Sequence, residues 1–240
     1  MNTNSDTMHR PGADKEWNES YYFNFYDQEH DLCMFMRIGL KPNMDERSMF
    51  CFIMMPDGSV IGKKEMEVLG DGSLNVRSLR FHMLEPEKRW KLEFNGAMAR
   101  MEVKGPVPVK INFSLEFESL NKIYDYRDSV DREGEAMSRD VASEHLEQMG
   151  KVLGSLKVDD RDYYIKGLGG RDHSWGERDW TAPRAWVWLT CQVSEDFGFN
   201  VTKLYMDKGD IDAGFIYVDG ENLPLVKVDM VTEYDADGSP

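Results

Sequence analysis

The stretch "VPVKINFSLEF" at 107–117 alternates apolar and polar residues at every step. Val107, Val109, Ile111, Phe113, Leu115 and Phe117 share one face of an extended chain. Pro108, Lys110, Asn112, Ser114 and Glu116 share the other. A period of two belongs to a strand with one buried face and one wet face, not to a helix. Turn-forming clusters cut the rest of the chain into short segments: "PDGS" at 56–59, "GDGS" at 70–73, "VDDR" at 158–161 and "VDGEN" at 218–222. "GKVLGSLKVDDRDYYIKG" reads as a hairpin around Asp159 and Asp160. Helical periodicity is scarce, and the charged segment at 124–145 reads as a loop with one helical turn. About a dozen strands with regular turns predict an all-β fold of antiparallel barrels or sandwiches. That is more than a small barrel of ~8 strands uses, so two β domains are expected.

The first 14 residues are polar and read as a flexible arm. The charged segment is the natural break, giving a first β domain over 15–143 and a second over 144–240. The final "KVDMVTEYDADGSP" reads as a strand and a turn with no return strand, so the second domain is expected to be incomplete.

Composition removes several classes of partner. The formal net charge of −15 repels phosphate backbones and anionic lipid, so neither nucleic acid nor a membrane surface is expected. No apolar run is long enough to span a bilayer, and the N-terminus carries no apolar leader. Cys33, Cys51 and Cys191 are widely spaced, which argues against a disulfide framework and fits a reducing cytoplasm.

Candidate site residues come from three strands and one unusual stretch. In "WNESYYFNF", Glu19 shares a face with Trp17, Tyr21, Phe23 and Phe25. A carboxylate there is either paired with an Arg at the rim or serves as an acid or ligand contact. "RAWVWLTCQVS" puts Trp186, Trp188, Thr190 and Gln192 on one face, suited to a ligand pocket or to an interface between sheets. Ala185, Val187, Leu189, Cys191 and Val193 form the other face, small and suited to packing. In "EHLEQMG", His145 and Glu147 share a face opposite Leu146 and Gln148. His145 and Gln148 therefore point apart unless a bulge intervenes.

"GLGGRDHSWGERDW" at 167–180 packs Asp172, His173 and Asp179 between Trp175 and Trp180. Its glycines read as a bent loop. No amphipathic helix follows them, so a phosphate cradle is not expected. No second His stands at i+4, and metal ligands would have to come from distant His82 or His145, so no metal is expected. Two readings stay open. A His beside carboxylates, walled by Trp, is a proton donor to an apolar substrate. Alternatively, Arg171 and Arg178 pair with Asp172 and Asp179 in a purely structural knot.

"EWNESYYFNFYDQEHD", "EHLEQMG" and "GLGGRDHSWGERDW" with the following "AWVWL" resemble an uncharacterised bacterial family related to the AttH-like and carotenoid hydratase-like (hydroxyneurosporene synthase) lipocalin group. The resemblance runs from about Glu16 to Asp219. It implies two tandem lipocalin-like (calycin) β domains with a ligand cavity in or between them. It also implies longer chains, in keeping with an incomplete second domain. Relatives of this kind hydrate isolated C=C bonds or guide cycloadditions of long apolar substrates, without a cofactor. The resemblance thus implies an apolar terpenoid-, steroid- or polyketide-like ligand, held by a hydratase or by a carrier without activity. Residues 171–179 are the nearest match to a catalytic set. Asp172, His173 and Asp179 are the expected catalytic groups. Glu19, Tyr21, His145, Gln148, Trp175, Trp180, Trp186 and Trp188 are the expected ligand contacts.

Overall fold

The computed structural model describes residues 5–128, 144–177, 183–207, 209–231, 233 and 235. Eleven strands form the first sheet: β1 (Asn18–Asp27), β2 (Leu32–Lys41), β3 (Glu46–Met54), β4 (Val60–Val68), β5 (Asn75–Val76), β6 (Leu79–Glu85), β7 (Arg89–Glu102), β8 (Gly105–Ser119), β9 (Tyr124–Asp125), β10 (Glu144–Val158) and β11 (Arg161–Gly176). The neighbour order β4-β3-β2-β1-β11-β10-β8-β7 closes on itself through Ile61↔Arg100 and Gly62↔Ala99, which join β4 to β7. These eight antiparallel strands are a closed barrel, so no long edge of them is left open. A second, four-stranded antiparallel sheet runs β12 (Ala185–Gln192), β13 (Phe197–Met206), β14 (Gly209–Val218) and β15 (Glu221–Pro224).

Alternation decides the barrel. Along β8, Val109, Ile111, Phe113, Leu115 and Phe117 are buried and the residues between them are not. Val107 departs from the pattern and is exposed. The interior is filled by rings and branched chains, with Phe23, Phe25, Met36, Ile38, Trp90, Phe94 and Phe113 almost wholly buried. Each such side chain contributes about 1.5–3 kcal/mol. The Asp159–Asp160 turn joins β10 to β11 as the sequence suggests, with Asp159 at φ 51°.

Four expectations change. The division between sheets falls between Gly176 and Ala185, and β10 and β11 belong to the barrel, so it does not coincide with the boundary expected at 143/144. Residues 226–231 form no strand. The N-terminal arm is docked: Asp6 is buried, its carboxylate 2.6 Å from Arg171 Nη1, and it accepts a hydrogen bond from the Glu87 backbone N–H. Lastly, the Gly-rich stretch is the middle of β11 rather than a loop. None of Gly167, Gly169 and Gly170 has a positive φ. A Cβ on Gly169 would stand 2.0 Å from the Asn24 carbonyl O, and one on Gly167 would stand 2.6 Å from the Phe25 ring. These glycines let β1 and a core ring press against β11.

The second sheet lies against the outer wall of the barrel. Tyr124, Met149, Phe215 and Tyr217 make a small core between them, the Gly150 N–H donates to Gln192 Oε1 (3.3 Å), and Asn121 Nδ2 donates to Asn222 Oδ1 (2.6 Å). The face expected to pack is the wrong one. Leu189 (47% exposed), Cys191 and Val193 (64% exposed) face outward, while Trp188, Thr190 and Gln192 turn toward the barrel. The polar handles of that face are what the barrel's polar outer wall can satisfy.

Candidate functional site between the barrel wall and the second sheet

Strand parity sorts the candidate residues into two places. On β11, Asp172 and Ser174 point to the outer wall, whereas Arg171, His173 and Trp175 point to the barrel's interior and mouth. Asp172 and His173 are thus on opposite faces of one sheet, and the structure does not bring them together as a catalytic set. Asp179 and Trp180 lie outside the described residues.

The inner group is a buried network. Arg171 Nε donates to Gln148 Oε1 (2.7 Å), and its guanidinium pairs with Asp6 rather than with Asp172. Glu19 Oε1 lies 2.9 Å from His173 Nε2 and 2.8 Å from His9 Nδ1. Tyr21 stacks on His173 with ring centroids 4.0 Å apart, and Trp175 stacks on His9 at 3.7 Å. The partner of Glu19 is therefore imidazole, not the Arg expected at a rim. Burial raises the Glu19 pKa, but its close contacts with His173 and His9 outweigh it and hold the carboxyl below its ordinary value. Tyr21, Gln148 and Trp175 belong to the same network and do not line the outer cleft. His9, Glu19 and His173 present three metal-ligand atoms within 4.8 Å of one another. His82, one of the distant residues a metal site would have had to recruit, sits beside Glu93 at 3.4 Å.

The outer group surrounds a cleft of about 410 Å³, within the size range of small-molecule sites. Its barrel side carries Asn18, Ser20, Tyr22, Arg37, Ser48 and Phe50, with His145, Asp172 and Ser174 from β10 and β11. Trp186 and Trp188 close it from β12. The register Glu147↔Asp172 and His145↔Ser174 explains the grouping, because cross-strand neighbours share a face. His145 Nε2 lies 2.9 Å from Glu147 Oε1 and 3.8 Å from Asp172 Oδ2. Ser174 Oγ donates to Asp172 Oδ1 at 3.0 Å.

Glu147 sits behind His145, fully buried. Burial pushes its carboxyl up to about 7; the hydrogen bond and charge of His145 partly oppose this, and the Asp172 carboxylate adds to it. The Asn200 amide favours the charged form, although its Nδ2 has no partner at full hydrogen-bond geometry. Tyr126 donates to Asn200 Oδ1, which also accepts from Trp188 Nε1 at 3.2 Å. The Tyr126 ring lies 4.4 Å from that of His145, and burial raises its pKa far above the ordinary phenol value. Burial likewise raises the Tyr22 phenol, so both stay neutral donors.

Sequence reasoning missed Glu147, Tyr126 and Asn200 as parts of this site. The signal for Glu147 was present in its shared face with His145. Tyr126 lies in a segment read as a loop, and Asn200 reaches the site only through the packing of β13.

The family model for a domain of unknown function, DUF7064, matches residues 2–240. The chain belongs to that family. No curated protein matches the sequence. Among solved structures, a candidate AttH of Nitrosomonas europaea has a TM-score of 0.64 at 9% identity, over 94% of this chain and 72% of that one. CghA, in complex with Sch210972, has a TM-score of 0.52 at 11% identity, over 90% of this chain and 64% of that one. Kievitone hydratase from Nectria haematococca has a TM-score of 0.51 at 10% identity, over 93% and 70%. The chain is thus similar in fold to the AttH-like hydratase group, with lipocalin-like antiparallel β architecture. Among the described residues, no helix is long and apolar enough to cross a membrane.

Proposed function

We propose that the cleft between the barrel wall and the second sheet binds an oxygen-bearing apolar molecule of the terpenoid, steroid or polyketide kind, and that the His145–Glu147 pair protonates a C=C bond of it. The observation that carries this reading is a buried carboxyl with its pKa near 7, hydrogen-bonded to an imidazole that lines an aromatic-walled cleft. A general acid works best with a pKa near the operating pH, and strongly shifted groups beside a cleft mark functional sites. Tyr22, Phe50, Trp186 and Trp188 supply apolar faces. Aromatic faces also attract a developing carbocation. The polar row of Asn18, Ser20, Ser48 and Ser174 suits hydroxyl or carbonyl groups on the ligand.

In the hydration reaction, the proton passes from the pair to one alkene carbon. Water adds its oxygen to the other carbon, and the proton it releases returns to the pair. Atoms balance without a cofactor. The similarity in fold to kievitone hydratase is compatible with this chemistry and supports the fold alone.

The test uses retinol as a polyene probe in D₂O. Reversible protonation of a C=C bond incorporates deuterium at carbon, read by mass spectrometry. The expected result is incorporation by the wild type and its loss in Glu147→Gln and His145→Gln, with quenching of Trp fluorescence by retinol retained in both. Binding without incorporation would leave a carrier and remove the enzyme. Absence of binding would overturn both.

A further inference from the structure

The barrel mouth holds a second cluster that the cleft does not use. His9 Nδ1 and His173 Nε2 converge on one oxygen, Glu19 Oε1, at 2.8 and 2.9 Å. We propose that His9, Glu19 and His173 bind a divalent transition metal of the zinc type, and that the ion fastens the N-terminal segment to the barrel.

The hydrogen-bond count at His173 motivates this. His173 Nδ1 lies 2.7 Å from the Ser5 carbonyl oxygen. A carbonyl only accepts, so Nδ1 carries a hydrogen. In the neutral ring, Nε2 then presents its lone pair, and it faces a carboxylate oxygen that also only accepts. Two acceptors at that distance need a cation or a second proton between them. A metal ligated by Nε2 meets the requirement. The Nδ1–H bond to a backbone carbonyl is the outer contact that ligating histidines use to fix their tautomer.

Crowding at Glu19 points the same way. Its Oε1 is approached by both imidazoles, by the His9 backbone N–H at 3.2 Å and by Tyr21 OH at 3.5 Å. Oε2 accepts a bond from the His9 backbone N–H, at 3.0 Å. So many groups around one oxygen suit a shared cation better than separate hydrogen bonds to two lone pairs. Two imidazoles with one carboxylate form a donor set for zinc or its neighbours, not for calcium or magnesium. With metal bonds of about 2.0 Å, tetrahedral ligand atoms lie about 3.3 Å apart. The two N···O spacings need to widen by about half an ångström, and the two imidazole nitrogens lie within 4.8 Å of each other.

The rings are already held in place. His173 is stacked on Tyr21 and His9 on Trp175. Glu19 and His173 are buried in the barrel, while the His9 side chain is 24% exposed and leaves a path for entry. His9 comes from the segment that precedes β1, so metal binding and docking of that segment are coupled. The neighbouring Asp6–Arg171 pair anchors the same segment.

The experiment titrates Zn²⁺ into full-length protein stripped with chelator, in competition with a chromophoric zinc indicator. Cobalt substitution reads the ligand field, and trypsin cleavage after the exposed Lys15 reads segment docking. The expected results are one zinc per chain, a visible cobalt absorption band, and slower cleavage with zinc. His9→Ala removes a partly exposed ligand and should leave the barrel folded by circular dichroism. It should weaken zinc binding by more than about 100-fold and abolish protection of Lys15. His145→Ala should leave zinc binding unchanged. Absence of zinc binding by the wild type would overturn the proposal and leave a proton-bridged network. Binding that survives His9→Ala but is lost in His145→Ala would place the ion in the cleft and overturn it equally.

Discussion

Replacing Glu147 by Gln should make the protein more stable at neutral pH and barely change it in acid. The Glu147 carboxyl has an ordinary pKa of 4.5, raised to about 7 in the folded chain chiefly by burial. At about 1.4 kcal/mol for each tenfold change in proton affinity, that rise corresponds to about 3 kcal/mol. Well below pH 4.5 the group is protonated in both states. Between 4.5 and 7 the unfolded chain releases its proton while the folded chain keeps it, so stability falls as pH rises through this window. Above about 7 the folded carboxylate is ionised as well, and the loss is complete. Gln cannot ionise, and its amide can still hydrogen-bond His145. Urea unfolding of wild type and variant, followed by Trp fluorescence from pH 4.5 to 8, isolates this group because the other carboxylates are common to both proteins. The gap should grow from near zero to about 3 kcal/mol in favour of Gln. A gap that does not change with pH, or that grows in favour of the wild type, would refute a buried, reluctantly ionised Glu147.

Three further outcomes follow from packing and charge. Asp6→Ala should cost about 3–5 kcal/mol, because it leaves Arg171 buried without its carboxylate; a change below 1 kcal/mol, measured by urea unfolding at about pH 7, would mean that the segment contributes little. Gly169→Ala should cost about 3 kcal/mol or prevent folding, since its Cβ meets β1 backbone at 2.0 Å; a normal thermal midpoint would contradict that contact. Leu189→Lys, on the outward face of β12, should shift stability by less than about 0.5 kcal/mol, and a large loss on heating would show that this face is covered.

Much of the barrel was legible because its strands carry the period of two. Val109 to Phe117 turn inward as the pattern demands, and the Asp159–Asp160 turn sits where its residues suggest. β11 was misread because its glycines look like loop residues. Their role depends on Phe25 and the Asn24 carbonyl, which come from a strand more than a hundred residues earlier and cannot be seen locally. Once β11 is a strand, parity alone separates Asp172 from His173. Asp6 and His9 looked like parts of a polar arm, and only the buried Arg171 and Glu19 give them a place. The cleft draws on β1, β2, β3, β10, β11 and β12 with Asn200 of β13 behind it, so Tyr126 and Asn200 became site residues through tertiary packing rather than through any local signal.

The proposed ligand sits in the cleft rather than among the buried side chains of the barrel. Native mass spectrometry of protein purified from its own host tests it most directly, comparing the wild type with Trp188→Ala and with His173→Gln. One apolar molecule should be retained per wild-type chain. Trp188→Ala should lose it, because Trp188 forms one wall of the cleft. Folded His173→Gln should keep it, because His173 faces the barrel mouth. A molecule held equally by Trp188→Ala but lost from His173→Gln would contradict the account and place the ligand inside the barrel.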